Sequence, residues 1–305
     1  MIIEYLCDVL RSRRSLKKTV KTSISLIYWS VETVFRAFGR LAGRALRGRM
    51  TILYYHGVPA DATLHFARQM DLLKRHAVPV SADYEGPLQP GRLHVAVTFD
   101  DAFVSVLENA LPEVEAHGIP VTIFVPGGML GRHPAWEFNE NSNDRADIVM
   151  TEDQLRRLPE TWVKVGSHSL RAPRLPNLDG VDLKNEVDGS RSVLERILGR
   201  PVDLFSFPYG AHNDRVVNAC RSAGYKKVFS ILPASVHPQR TEFIRGRVAV
   251  DPRDSHLDFI LKMNGAYSWM PFASAIKSRF IRKRSTLTAL ASKRDRAVSR
   301  RPNPN

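Results

Sequence analysis

Cysteine is scarce in this chain: only Cys7 and Cys220 occur among 305 residues. Two cysteines cannot form a disulfide framework, and both are expected to be apolar filler residues. No stretch approaches 18 uncharged apolar residues, which excludes an ordinary transmembrane helix. A Gly-x-Gly-x-x-Gly motif and a P-loop are also absent, so we predict no nucleotide site.

Acidic residues are outnumbered, with 31 Asp and Glu against 45 Lys and Arg and a net charge of +14. The excess lies at the ends, because residues 1–49 carry +8 and residues 270–305 carry +9, which leaves −3 on residues 50–269. Basic ends predict contact with phosphate groups, either of lipid headgroups or of nucleic acid. We favour an anionic membrane surface and do not expect nucleic acid, because the centre lacks interleaved basic and aromatic residues.

The pattern divides the chain into a basic amphipathic segment at 1–49, a domain at 50–270 and a basic tail at 271–305 that is predicted to be disordered. No basic residue precedes the first apolar stretch, which is the wrong order for a secretory signal and favours a cytoplasmic protein. Between Ile24 and Leu41 apolar residues recur at helical spacing, with Glu32, Arg36 and Arg40 on the opposite face. This helix either lies peripherally in the inner-membrane interface or is packed against its own domain.

From residue 51 onward, β-rich runs alternate with helical stretches about seven times. The predicted strands are TILYY, HVAVTF, VTIFV, WVKVGS, VDLFSF, YKKVF and the run 247–250. The predicted helices lie at 102–117, 151–158, 181–198, 213–223 and 254–263. This alternation predicts a parallel β/α architecture, either a barrel or an open doubly wound sheet. The polar, glycine-rich stretch 126–150 is expected to be a long loop.

Polar or turn residues follow four of these strands. They are Y-Y-H-G at 54–57, T-F-D-D at 98–101, G-S-H-S at 166–169 and F-P-Y-G at 207–210. Because parallel strands end at one edge, these residues should meet at one mouth. A carboxylate beside a neutral imidazole suits a divalent metal ion. Each motif also has a simpler interpretation: Asp101 as a helix N-cap, His168 as an ordinary hydrogen-bonded residue, and Pro-Tyr-Gly as a turn.

Taken in order, T-F-D-D, G-S-H-S and F-P-Y-G resemble the polysaccharide deacetylase family, which carries the NodB homology domain and forms carbohydrate esterase family 4. The likeness covers about residues 50–270. It implies a distorted (β/α)7 barrel of the NodB type. It also implies a hydrolase that uses zinc or a similar divalent ion to remove N-acetyl groups from an amino sugar, in polysaccharide or glycolipid biosynthesis.

The resemblance also implies roles for individual residues. Asp100 matches the base that takes a proton from water, and Arg247 would pair with it and keep it ionised. Asp101 and His168 match metal ligands. The remaining predicted roles are proton donation to the departing amine by His56, oxyanion binding by the backbone N–H of Tyr209, and sugar contact by Pro208 and by Trp136 of the long loop.

The sequence departs from the family pattern at one metal ligand. The pattern is His-Ser/Thr-x-x-His, and Ala172 stands in place of the second histidine. A catalytic zinc site usually has three protein ligands, so Asp101 and His168 alone form a poor one, and Arg171 is expected to repel a cation. The alternatives are a substitute ligand, a weak site completed by water, or a degenerate protein that binds glycans without hydrolysing them. The candidate substitutes are His133, Asp144, Asn177 and His212. Ser206, where many members have an arginine, makes the substrate assignment less specific.

Overall fold

A computed structural model describes residues 2–136, 143–234, 236 and 242–273, with the side chains of the first helix described from Thr19 onward. The strands are β1 (Arg49–Tyr55), β2 (Val78–Pro79), β3 (Leu93–Phe99), β4 (Val121–Val125), β5 (Val163–Ser167), β6 (Leu204–Ser206), β7 (Lys227–Ser230), β8 (Ile244–Gly246) and β9 (Val248–Ala249). The helices are α1 (Ile2–Leu41), α2 (Thr63–His76), α3 (Leu111–Ala116), α4 (Glu152–Arg156), α5 (Gly180–Leu198), α6 (Asp214–Ser222) and α7 (His256–Met263).

The strands form a nearly closed parallel barrel in the order β8-β7-β6-β5-β4-β3-β1-β9, with β2 paired to β3 outside this path. β8 and β9 are one strand interrupted at Arg247, because β8 pairs with β7 and β9 pairs with β1. This split seventh strand joins the two edges of the sheet. The barrel is weakest between β5 and β6, where Ser167 and Phe205 form the one pair of the ladder in the described residues. The predicted distorted (β/α)7 barrel is confirmed.

The barrel strands are apolar and β-branched because both of their faces are covered. All residues of β3 and β4 are buried. Helices on the outside contribute apolar residues at helical spacing, as Leu183, Val187 and Leu194 do in α5. Cys220 of α6 is buried among these residues as an unpaired thiol. Apolar packing therefore covers the barrel strands and fixes the positions of their ends.

Two helical regions differ from the sequence prediction. α2 was not predicted, although Phe66, Met70 and Leu73 recur at helical spacing and are buried. The helix predicted from 102 begins at Val104 and passes through a π-helical turn at Val106–Ala110 into α3. Its start is delayed because Asp101 and Ala102 both adopt the left-handed backbone conformation, with φ of 70° and 51°. Two such residues cannot belong to a right-handed helix.

The N-terminal helix is longer than its apolar pattern indicated and lies against α7. Ser25 is fully buried and accepts a hydrogen bond from the Trp269 indole at 2.9 Å, and Thr22 donates to Asp258 at 2.8 Å. The helix thus packs against its own domain, which is one of the two interpretations of the sequence. It does so through its polar side, and its apolar side faces outward. Within the described residues no helix combines the length and the apolar character needed to cross a membrane. The predicted tail after residue 273 lies outside the described residues.

Closure of the barrel leaves no room for a side chain at Gly246. A Cβ there would lie 2.2 Å from the Leu232 carbonyl oxygen and 2.7 Å from the Ala234 Cβ. We predict that Gly246→Ala lowers the free energy of unfolding by about 1–3 kcal/mol through overpacking. The matched control is Gly180→Ala, because a Cβ at Gly180 meets nothing within 4 Å. Urea unfolding should separate the two variants, and equal stability would contradict this close packing.

Candidate active site

The carboxyl ends of four parallel strands, β1, β3, β5 and β6, carry the predicted polar residues. His56 follows β1, Asp100 and Asp101 follow β3, His168 follows β5, and a 3₁₀ turn at Pro208–Gly210 follows β6. Asp100 and Asp101 are 2% and 3% exposed, and His168 is 4% exposed. The barrel therefore brings these residues to one edge, as the sequence pattern predicted for parallel strands.

Asp100 is held by Arg247, the residue that interrupts the closing strand. The two guanidinium nitrogens Nη1 and Nη2 donate to Oδ1 and Oδ2 of Asp100, each at 2.8 Å. The backbone N–H of Asp100 also donates to the Tyr55 carbonyl at 2.9 Å. This bidentate pair fixes both the position and the orientation of the carboxylate.

The same guanidinium has further partners that sequence reasoning did not identify. Nη1 donates to Thr98 Oγ1 at 3.1 Å, and Nη2 donates to Ser206 Oγ at 2.6 Å. Aromatic rings surround it, with Tyr54 4.7 Å and Phe124 5.2 Å from its Cζ to the ring centroid. Ser206, noted in the sequence as a departure, thus supports Arg247. Thr98 and Ser206 are small polar residues near the ends of otherwise apolar strands, and this pattern is the sequence signal for their contact with Arg247.

The Arg247 contact decides the charge of Asp100. Burial alone would raise the pKa of this carboxyl, but the guanidinium, assisted by His168 and His56, lowers it to about 2. Asp100 is therefore ionised throughout the physiological range. The pKa of Asp101 moves in the other direction and lies well above its usual value, because the group is buried and faces the Asp100 and Asp144 carboxylates.

A backbone feature explains how two adjacent aspartates reach one site. Along a regular strand they would point to opposite faces. Here β3 ends at Phe99, before both carboxylates, and the positive φ of Asp101 and Ala102 turns the chain back. The alternative of Asp101 as a helix N-cap is wrong: the helix begins beyond it, and Asp147 accepts from the Ser105 N–H at 3.4 Å.

Asp101 and His168 form a pair that suits a cation. Oδ1 of Asp101 lies 3.6 Å from Nε2 of His168, which is too long for a hydrogen bond. It is close to the separation of about 3.4 Å expected for two donors on one tetrahedral cation at about 2.1 Å from each. Burial lowers the pKa of His168 to about 4, which keeps the imidazole neutral and able to bind a metal. The pair therefore fits as two protein ligands of a divalent ion.

A third protein ligand is not provided by the part of the chain that the structure describes, since no cluster of three His, Cys, Asp or Glu residues there could hold a metal. Of the candidate substitutes, His133 is bound to the Asp147 carbonyl at 2.9 Å, and the His212 ring stacks on Phe207 at 4.6 Å. Asn177 is exposed in a 3₁₀ turn. Asp144 alone among the four contributes to the raised pKa of Asp101.

Ala172 lies in a tight turn after β5, 2% exposed and with a φ of 55°. Its N–H donates to Ser169 Oγ at 3.1 Å. The neighbouring Arg171 does not act as the free cation that the sequence suggested. Its Nε donates to the buried Glu186 carboxylate of α5 at 2.8 Å. This ion pair compensates the charge of Arg171, so the expected repulsion of a bound cation is reduced.

The turn after β6 presents Tyr209 in an unusual backbone conformation, with φ of 58° and ψ of 10°. Pro208 is buried at the start of the turn, and the Arg174 guanidinium lies over the Tyr209 ring at 4.5 Å from its centroid. Strained positive-φ residues are concentrated at functional sites. We therefore expect the Pro208–Gly210 turn to belong to the functional site at this edge of the barrel.

Two predicted residues lie at the rim. His56 is exposed, its ring is 5.7 Å from that of Tyr54, and its charge contributes to the lowered pKa values of Asp100 and His168. Trp136 is half-buried and stacks on Phe103, with 6.3 Å between the ring centroids. The Trp136 ring is thus folded onto the barrel.

Fold and site together define a β/α-barrel protein of the NodB type, with a carboxylate pair, an imidazole and a guanidinium at the carboxyl ends of the strands. Residues 89–228 match the family model described as polysaccharide deacetylase. Through this segment the chain is similar to the polysaccharide deacetylase family.

Individual relatives are distant in sequence. YxkH, an inferred polysaccharide deacetylase of Bacillus subtilis, is 21% identical over an alignment of 215 residues that covers 67% of this chain and 72% of YxkH. Poly-β-1,6-N-acetyl-D-glucosamine N-deacetylase of Staphylococcus aureus is 23% identical over an alignment of 173 residues that covers 53% of this chain and 57% of the relative. The structure of IcaB from Ammonifex degensii superposes with a TM-score of 0.58 and 25% identity, covering 73% of this chain and 99% of IcaB.

Removal of Arg247 should change both the stability and its pH dependence. In the native protein the lowered pKa of Asp100 stabilises the fold above about pH 4, and this contribution is lost as the pH falls towards 2. In Arg247→Met, burial instead raises the pKa of Asp100. The ionised carboxylate then costs about 3–5 kcal/mol at neutral pH, and part of this is recovered as the pH falls through the raised pKa.

Urea unfolding at about pH 7.5 and about pH 5, with a chelator present, tests this change of sign. Arg245→Met is the matched control, because Arg245 is also buried but donates to the Ala82 and Tyr84 carbonyls at 2.6 and 2.9 Å. A stability loss that is the same at both pH values in Arg247→Met would contradict the assignment.

Proposed function

We propose that this protein is a metal-dependent hydrolase that removes N-acetyl groups from an amino sugar during polysaccharide or glycolipid biosynthesis. The observation that carries the proposal is the Asp100 carboxylate, locked in its ionised form by Arg247 beside the Asp101–His168 pair. The similarity to a poly-β-1,6-N-acetyl-D-glucosamine deacetylase supports this substrate class. We further propose action at the cytoplasmic side on a lipid-linked or nucleotide-linked sugar.

Asp101 and His168 would hold the metal ion in this proposal. When bound, a divalent cation lowers the pKa of water and polarises a carbonyl oxygen. It would also compensate the Asp101 carboxylate, which is buried and faces a second carboxylate. The neutral His168 ring needs no deprotonation before it binds.

Asp100 would act as the general base. A carboxylate with a pKa near 2 is a weak base, so its contribution depends on orientation and on an acidified water molecule. The bidentate contact with Arg247 supplies that orientation and leaves Asp100 ready to accept a proton. Arg247 is thus a positioning residue.

The other strand ends would complete the reaction. His56 is exposed at the rim and electrostatically coupled to Asp100, which suits proton donation to the departing amine. The backbone N–H of Tyr209 would stabilise the oxyanion of the tetrahedral intermediate. Pro208 would shape the sugar subsite, and Trp136 would contact the substrate with its partly exposed edge.

A second candidate function is glycan binding without hydrolysis. It is favoured by the buried Ala172 and by the two-residue ligand set in the described part of the chain. An affinity lower than that of a three-ligand site is expected in either case. The two functions differ in acetate release, which the following variants measure.

We predict that Asp100→Asn reduces acetate release from N-acetylated β-1,6-glucosamine oligomers by about 10²–10⁴-fold, because the base is lost. Metal binding should persist, since Asp101 and His168 remain. Asp83→Asn is the matched control: Asp83 pairs with Lys164 at 2.6 Å, and its loss tests the removal of an ion pair elsewhere. Acetate release near the wild-type level in Asp100→Asn would remove Asp100 from the base role.

We also predict that Ala172→His tightens zinc binding by at least about tenfold, because it adds a third protein ligand of the kind that a catalytic zinc site uses. Acetate release at limiting zinc should rise in parallel. Histidine is among the residues that tolerate positive φ, as this position requires. Ala172→Ser is the control, because it changes the same residue without adding an imidazole. Tighter zinc binding with no acetate release, in the variant and in the wild type, would favour the glycan-binding alternative.

A further inference from the structure

The helix α1 carries an apolar stripe on the side that faces away from the barrel. This outer stripe consists of Val20, Ile24, Ile27, Val31, Val34, Phe35, Phe38 and Leu41. Their exposed fractions range from 41% at Ile24 to 84% at Leu41. The spacing is helical, and the stripe spans about 22 residues, or roughly 33 Å of helix. Contiguous exposed apolar surface of this kind marks an interaction site.

The stripe cannot turn inward, because the opposite face of α1 is fixed to the barrel by polar contacts. Ser25 accepts from the Trp269 indole, and Thr22 donates to Asp258. Glu32 forms an ion pair with Arg49 at the start of β1, at 3.0 Å. The helix is therefore inverted relative to an ordinary surface helix, which buries its apolar face.

Exposed cationic side chains lie near the start of the stripe and just beyond its end: Lys21, Arg44 and Arg47. On the opposite face of α1, a cleft of about 300 Å³ against the barrel is lined by Arg36, Arg40 and Arg49. Glu32 is the one acid paired with these arginines in the described residues. Burial, together with repulsion from Arg49 and Arg40, lowers the pKa of Arg36. The region thus carries positive charge that is not compensated within the described part of the chain.

We infer that the outer stripe of α1 binds the surface of an anionic lipid bilayer. An apolar face would enter the boundary between headgroups and acyl chains, and flanking cations would contact lipid phosphates. Tyr28, 40% exposed beside the stripe, is a residue type enriched at this depth. An anionic bilayer would thus contact both the apolar stripe and the basic residues of this region.

A second copy of the chain is a poorer occupant for the same surface. Pairing two outer stripes would place two segments of charge +8 side by side. Like charges brought together at an interface oppose association. An anionic bilayer has the opposite sign and accepts the same apolar residues. Charge complementarity therefore selects the membrane surface.

The test is vesicle flotation of the full chain with phosphatidylcholine vesicles and with vesicles containing about 30% phosphatidylglycerol. We expect the wild type to float with the anionic vesicles, with binding that weakens as salt is raised. Ile27→Glu/Phe38→Glu should weaken this binding by at least about tenfold, because both changes fall on the stripe. The two residues are 64% and 66% exposed, so the fold should be unaffected.

The matched control is Leu64→Glu/Val181→Glu, which changes exposed apolar residues of α2 and α5 that are 63% and 71% exposed. It should bind anionic vesicles as the wild type does. The inference is overturned if the wild type fails to float with anionic vesicles, or if stripe and control variants bind equally. A wild-type dimer that the stripe variant converts to a monomer, without vesicle binding, would instead assign the stripe to a second copy. None of these readouts depends on a glycan or on acetate release.

Discussion

A fully buried guanidinium sits where the barrel closes, and the candidate site depends on it. Arg247 occupies the break between β8 and β9, and its hydrogen bonds reach the ends of β3 and β6. A buried cation is costly unless it is paired, and Asp100 supplies the bidentate partner. The same contact that satisfies Arg247 keeps Asp100 ionised. Closure of the barrel and the electrostatics of the site are thus one arrangement.

Much of this arrangement could be predicted from the sequence, because parallel strands send their carboxyl ends to one edge. Asp100, Asp101, His168 and the turn at Pro208 each follow a hydrophobic run, so their convergence follows from the alternation of strands and helices. The convergence of the two carboxylates at the end of β3 was harder to predict, since adjacent strand residues point to opposite faces. Positive φ at Asp101 and Ala102 resolves this, and no residue type at those positions signals it.

Other features depend on contacts between distant parts of the chain. Helix α2 lacks strong caps, so its pattern was missed although its apolar residues are buried. Asp144 was one of four candidate ligands from the sequence, and the fold distinguishes it by its electrostatic coupling to Asp101. For α1, the apolar pattern predicted an amphipathic helix, but the face that contacts the barrel was decided by Ser25, Thr22 and their partners in and after α7. Its apolar stripe is therefore a surface for another partner.

The pKa values of the two carboxylates in the site move in opposite directions: Asp100 is paired with Arg247, and Asp101 lies beside the neutral His168 imidazole. The proposed function requires a cation bound by Asp101 and His168. Titration of the metal-free chain with Co²⁺, followed by its visible absorption, tests this most directly. The account predicts one bound ion, with binding lost in Asp101→Asn and in His168→Asn. Absence of binding by the wild type, or binding that both variants retain, would contradict it.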